Sequence, residues 1–169
     1  MTEEIGGPIR GIASDGSHVY VARDRGTGAD IEAEKAWHLA TGGTPGPLIA
    51  SDGQVTATVS GHGAIADLGA PVLLHGEPSS VVVAIDPATG KVRWRLPFDS
   101  PEFAVITSIA PIVDGVKGSA GIVVGGTFSG TLRVGDAVTH TANARDVVAS
   151  AGRSDGFVAL LGTDGSLKW

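Results

Sequence analysis

Two stretches of the chain, residues 81–94 and 157–169, follow one pattern: five apolar residues, a turn rich in Asp, Thr and Gly, and a short segment ending in Trp. In both, a glycine stands four residues before the tryptophan, Gly90 before Trp94 and Gly165 before Trp169. Repetition of this kind constrains the fold more than any other feature. A single repeat cannot bury its own faces, so the units must stack. The repetition reaches upstream as well. Residues 12–16 and 49–53 share the sequence Ile-Ala-Ser-Asp-Gly, residues 112–115 echo it, and 60–69 correspond loosely to 126–135. The repeating order is strand, Asp-Gly turn, strand, Gly-rich connection, strand, turn, and a strand carrying Trp.

Asp-Gly pairs at 15–16, 52–53, 114–115, 155–156 and 164–165 punctuate the chain. This dipeptide suits the type I′ turn of a two-residue hairpin, in which both central residues need φ > 0. Residues 81–85 and 157–161 are apolar without alternation, the pattern of strands covered on both faces. Gly supplies 26 of the 169 residues, which disfavours long helices. Only 30–40 leaves helix and strand open, a helix there taking Asp30 as its N-cap. Four strands per unit is the build of a propeller blade. Trp37, Trp94 and Trp169 mark three units at intervals of 57 and 75 residues, longer than the usual blade of about 40–50. The expected fold is all-β: a partial β-propeller of about three four-stranded antiparallel blades, covering 5–43, 44–100 and 101–169 of a single domain.

The run Ala84-Ile85-Asp86-Pro87-Ala88-Thr89-Gly90-Lys91-Val92-Arg93-Trp94 resembles the A-x-D-x-x-T-G-K-x-x-W signature of quinoprotein-like β-propeller repeats. The resemblance implies that the Trp packs between neighbouring blades and that the Thr-Gly turn joins the outer strands. Trp37, Trp94, Trp169, Gly90, Gly165 and Asp86 are then structural repeat positions. Residues 124–131, 154–159 and 165–169 are similar to the SBBP-type bacterial repeat, with Leu160 where a Lys is usual. The likeness covers 51–169 well and 9–43 weakly, since nothing like Pro87-Ala88-Thr89-Gly90 precedes Trp37.

A quinoprotein enzyme would need calcium, a catalytic carboxylate and, in many members, an adjacent Cys pair. This chain has no Cys and too few repeats to enclose a cofactor, so the reading is non-catalytic, with no cofactor and no metal. The histidines at 18, 38, 62, 75 and 140 form no His-x-His or His-x3-His pair, and His62, between two glycines, reads as a solvent-facing loop residue. No Asp-Gly turn belongs to a D-x-[DN]-x-[DN]-G calcium series. Gly26-Thr27-Gly28 lacks the third Gly of a dinucleotide loop, and no G-x-S-x-G elbow occurs. Asp67, Glu77, Asp99 and Glu102 read as solvated loop carboxylates.

A net charge of −6 argues against nucleic acid and against an anionic membrane surface. The longest apolar stretch, 104–113, is broken by Thr107, Ser108 and Pro111 and is too short for a span. Residues 1–7 are acidic and lack the pattern of a signal peptide; either the chain is cytoplasmic or an export signal belongs to a longer chain. The resemblance implies a bacterial, extracytoplasmic protein. Propellers close with roughly four to eight blades, so three blades read as part of a longer repeat protein with an open face. The expected role is a scaffold or protein-interaction module whose partner is missing blades, a second copy or another protein. Alternatives are a propeller binding a glycan or small molecule through the inserts 69–80 and 135–154, and a fragment of a quinoprotein dehydrogenase.

Overall fold

The computed structural model describes residues 7–24, 29–33, 37–65, 68, 71–112, 121–135 and 147–169. The first sheet is an antiparallel meander of β1 (Ile9–Ser14), β2 (Val19–Asp24), β3 (Ala29–Ala33) and β4 (Trp37–Thr41). Its register follows from burial at every second residue. Tyr20 lies opposite Ala33 and Ala22 opposite Ile31, and all four are buried. On the other face Arg23 meets Glu32, with Nε 2.7 Å from Oε1. Strand therefore prevails over helix at 29–33 and 37–41, because a period of two places Ile31 and Ala33 on the face that β2 already buries.

A second meander follows: β5 (Thr44–Ser51), β6 (Gln54–Ile65), β7 (Val72–Ile85) and β8 (Val92–Asp99). The third is built from β9 (Phe103–Ile112), β10 (Gly121–Ser129) and β13 (Asp155–Gly162). Residues 167–169 add a fourth strip to it, with Lys168 N–H donating to Leu160 O and Leu160 N–H to Trp169 O, both at 2.8 Å. The first strands of the three meanders sit side by side, β1 against β5 and β5 against β9, as blades do around a propeller axis. The fold is all-β, a partial propeller.

Several details differ from the sequence reading. The second and third meanders are also joined along their edges. The hairpin of β11 (Thr131–Val134) and β12 (Val147–Ala149) leaves β10 and pairs with β8, placing Arg133 opposite Asp99. With a parallel bridge between Ser79 and Ala104, it joins them into one nine-stranded sheet. The Gly-rich stretch from residue 60 is mostly strand, its register shifting between Gly61 and Gly63. Of the described Asp-Gly pairs, only 52–53 has both residues at positive φ, 51° and 67°. The 15–18 connection is longer than two residues, so Asp15 instead accepts the Ser17 and His18 amides, each at 2.8 Å. Gly156 pairs with Thr127 inside β13, and 114–115 lies outside the described residues.

Two cores form between the sheets. Val81, Val83 and Ile85 join Tyr20, Ile31, Val55 and Val59 in one; Val82 joins Phe98, Ile122, Val124 and Leu161 in the other. β7 is thus buried on both faces, as its unbroken apolar run requires. The matching run in β13 is covered on one face only. Phe157, Ala159 and Leu161 point inward, while Val158 is 59% exposed.

Tyr20, the chain's only tyrosine, anchors the first sheet to its turn by donating to Asp15 Oδ2 at 2.6 Å. Burial and the facing carboxylate push its hydroxyl up to about 12 from 10.0. The protonated form is favoured by folding, so this stability is fully present below pH 10 and is lost as pH rises through about 12. Phenolate absorbance should therefore titrate near pH 12 in the folded protein. A midpoint at the ordinary tyrosine value would contradict the buried pairing.

Candidate functional site

The repeat positions meet in two equivalent contacts. Between β7 and β8 the chain turns through Asp86–Lys91. The Asp86 carboxylate accepts the Ala88 and Thr89 amides, both at 3.0 Å, and the Thr89 hydroxyl at 3.1 Å. Gly90 N–H donates to Asp86 O at 2.9 Å, and Asp86 N–H to Lys91 O at 2.8 Å. The Arg93 guanidinium donates to Asp86 Oδ2 at 2.7 Å. Chiefly through that bond, the carboxyl is held down at about 2. The signature residues thus stiffen one turn, and the turn is a seat. Trp37 of the first sheet places its Nε1–H 2.7 Å from Pro87 O and its ring over Gly90.

Glycine is required there twice over. Its φ is +70°, which costs an L residue roughly 1–2 kcal/mol, and a Cβ would lie 2.7–2.9 Å from Trp37. The next contact repeats this geometry. Trp94 Nε1–H donates to Thr163 O at 2.7 Å. Gly165 sits at φ +80°, where a Cβ would come within 2.6 Å of the Trp94 ring. Asp164 takes the aspartate's part, accepting the Ser166 hydroxyl and amide, and its carboxyl is lowered, mainly by the hydroxyl. Trp37 and Trp94 therefore each dock on the last turn of the next meander. Trp169 stands at the same repeat position but is 61% exposed.

A second junction was hidden from sequence reasoning. Asp99 is not a solvated loop carboxylate; it is buried at the end of β8. It accepts the His75 amide at 2.9 Å and the Gly76 amide at 3.3 Å, and lies 2.5 Å from His75 Nδ1. Burial works to raise its pKa, but these bonds, led by His75, leave it lowered. Nearby Glu77 N–H donates to Glu102 O at 2.8 Å, Ser60 Oγ lies 2.8 Å from Ser80 Oγ, and Ile106 N–H donates to Ser80 Oγ at 3.1 Å. The result is a polar seam between the second and third meanders. His62 lies in β6, not in a loop; its Nδ1 is 3.2 Å from Gly76 O. His140, Asp67 and 26–28 lie outside the described residues.

The hollows on the surface include two lined by described residues. One, of about 230 Å³, is lined by Asp15, Ser51, Asp52, Gln54 and Pro87 among others. The other, of about 480 Å³, is lined by Glu102, Phe103, Ser129, Gly130, Ser150, Gly152 and Arg153. Neither suits a quinone bearing several carboxylates. The first offers two carboxylates and no cation, and the second sets its one cation, Arg153, beside Glu102. Among the described residues no group of three or more His, Asp or Glu is arranged to hold a metal ion.

Sheets stacked through tryptophans that dock on glycine turns define a β-propeller repeat protein. A family model described as outer membrane protein assembly factor BamB matches residues 2–132, and the chain belongs to this family of PQQ-like repeats. The SBBP-type likeness at 124–169 falls mostly beyond the matched residues. No curated protein matches the chain. Among the described residues no helix is long and apolar enough to cross a membrane.

The ladder makes opposite forecasts for chemically identical changes. Trp94→Ala should lower stability by about 3 kcal/mol, whereas Trp169→Ala should stay within about 0.5 kcal/mol of the parent. Urea unfolding of the two variants checks this; equal costs would contradict it.

Proposed function

We propose that this chain is a non-catalytic interaction module that holds proteins together outside the bacterial cytoplasm. The observation that carries the reading is the uncovered face of the third sheet. Val158 and Trp169 are each about three-fifths exposed, although their counterparts Val82 and Trp94 are packed in the core between the second and third meanders. Exposed apolar surface of this kind marks a binding face. The family description names an assembly factor of the outer membrane, which supports both the extracytoplasmic location and a protein partner. The SBBP-type likeness points the same way.

One observation favours a second reading, a glycan or small-molecule site. Ser150, Gly152 and Arg153, from the insert after β11, line the 480 Å³ hollow. Photo-crosslinkers placed in the native protein at 158, 169 and 153 separate the two. The interaction reading expects discrete protein adducts from 158 and 169, few from 153, and no dehydrogenase activity with added quinone and calcium. Adducts confined to 153, or quinone-dependent turnover, would overturn it.

A further inference from the structure

Residues 12–16 and 49–53 share the sequence Ile-Ala-Ser-Asp-Gly, yet their polar groups end in different states. In the first copy they are taken up locally. Ser14 Oγ donates to His18 O at 2.9 Å and accepts the Gly16 amide at 3.1 Å. The Asp15 carboxylate accepts the Tyr20 hydroxyl along with the Ser17 and His18 amides, and chiefly through the hydroxyl it is held down at about 2. In the second copy the same residue types are left over. Ser51 Oγ is buried and has no hydrogen-bond partner among the described residues. The Asp52 carboxylate takes part in no hydrogen bond or ion pair among them.

Both copies border one space, the hollow of about 230 Å³ lined by Asp15, Ala50, Ser51, Asp52, Gln54 and Pro87. Gln54 is the one buried residue in this lining, 4% exposed. Among the described residues its amide makes a single bond, Nε2–H to Thr56 Oγ1 at 3.4 Å, which leaves Oε1 without a partner. Unmet buried polar groups are rare in folded proteins and call for a ligand, an ion or a water.

What meets them must donate hydrogen bonds and carry positive charge. The groups still free at the hollow are the Asp52 carboxylate, the Gln54 carbonyl and the Ser51 hydroxyl. No basic residue stands among the described lining residues; His18 Nδ1 is 3.7 Å from Asp15 Oδ2 but does not line the space. Pro87 O already receives the Trp37 indole, so Pro87 and Ala50 supply apolar wall. A bare metal ion fits poorly. Among the described residues no three His, Asp or Glu converge on one, and the space has room for several waters. A guanidinium fits better. It is planar, carries five donors in a fork that matches carboxylates, and is weakly enough hydrated to lie against carbon. An ammonium is a compact charge that holds its water more tightly.

We propose that the hollow between the first and second meanders binds a guanidinium group, with Asp15 and Asp52 holding its charge and Ser51 and Gln54 completing its hydrogen bonds. The site draws on the first two meanders alone, and it stands whether or not the third-sheet face binds a partner.

The test uses the full chain and the N-acetyl, N-methylamide derivative of L-arginine, which has no charged ends, followed by amide NMR shifts. Saturable shifts of the Gly53 amide and the Gln54 side-chain amide are expected, and the matching lysine derivative should bind more weakly. Asp52→Asn, which keeps a residue tolerant of positive φ, should weaken binding about tenfold or more. Ser51→Ala should also weaken it while the urea midpoint stays level or rises, because that hydroxyl has no bond to lose. Free L-arginine separates two sources of the same chemistry. Tighter binding of the blocked derivative assigns the site to an arginine of a partner protein, tighter binding of the free amino acid assigns it to a small molecule, and either upholds the guanidinium site. Absence of saturable shifts in the folded parent would overturn the proposal. So would unchanged affinity in Asp52→Asn, or displacement of the derivative by equimolar Ca²⁺.

Discussion

An indole docked over a glycine turn couples each meander to the next, and much of the rest of the structure serves that contact. The aspartate carboxylate and the threonine hydroxyl fix the turn from within. Glycine clears the space, and one backbone carbonyl, of Pro87 or Thr163, receives the indole N–H. A half-buried Trp brings a large apolar area whose polar handle is satisfied at the same time. Sheets that could not bury both faces alone are thereby held in register at their outer edges.

Away from the outer turns a different chemistry links the second and third meanders. Buried Asp99 holds the β7 backbone at His75 and Gly76, and Ser79 and Ser80 are fully buried beside it. Removing Asp99 would strand the buried Gly76 amide and the part-buried His75 amide, the costly side of the hydrogen-bond asymmetry. The β11–β12 hairpin adds to this link by reaching back to β8. The first and second meanders, by contrast, lie in separate sheets and share an apolar core.

Much of this was legible in the residues. The Gly-to-Trp spacing located both seats and the unbroken run at 81–85 foretold a strand buried on two faces, because those features are local and repeat. Asp99 was not legible, since nothing near it in sequence shows that His75, 24 residues earlier, returns to cover it. The Asp-Gly turns misled for a related reason. A type I′ turn needs a two-residue loop as well as the dipeptide, and among the described Asp-Gly connections only that between β5 and β6 has both. The helix alternative fails at 29–33 and 37–41 because pairing of β3 with β2 and of β4 with β3 decides those residues, and pairing is invisible to local propensity.

The central claim is that the indole and the glycine turn act as one contact, and a double-mutant cycle tests it most directly. Gly165→Ala should destabilise the parent through both backbone strain and collision with Trp94. In a Trp94→Ala background only the strain, about 1–2 kcal/mol, remains. The account predicts a clearly smaller cost of Gly165→Ala in the second background, measured by urea unfolding. An equal cost in both backgrounds would mean that Trp94 and Gly165 do not interact, and would contradict the account.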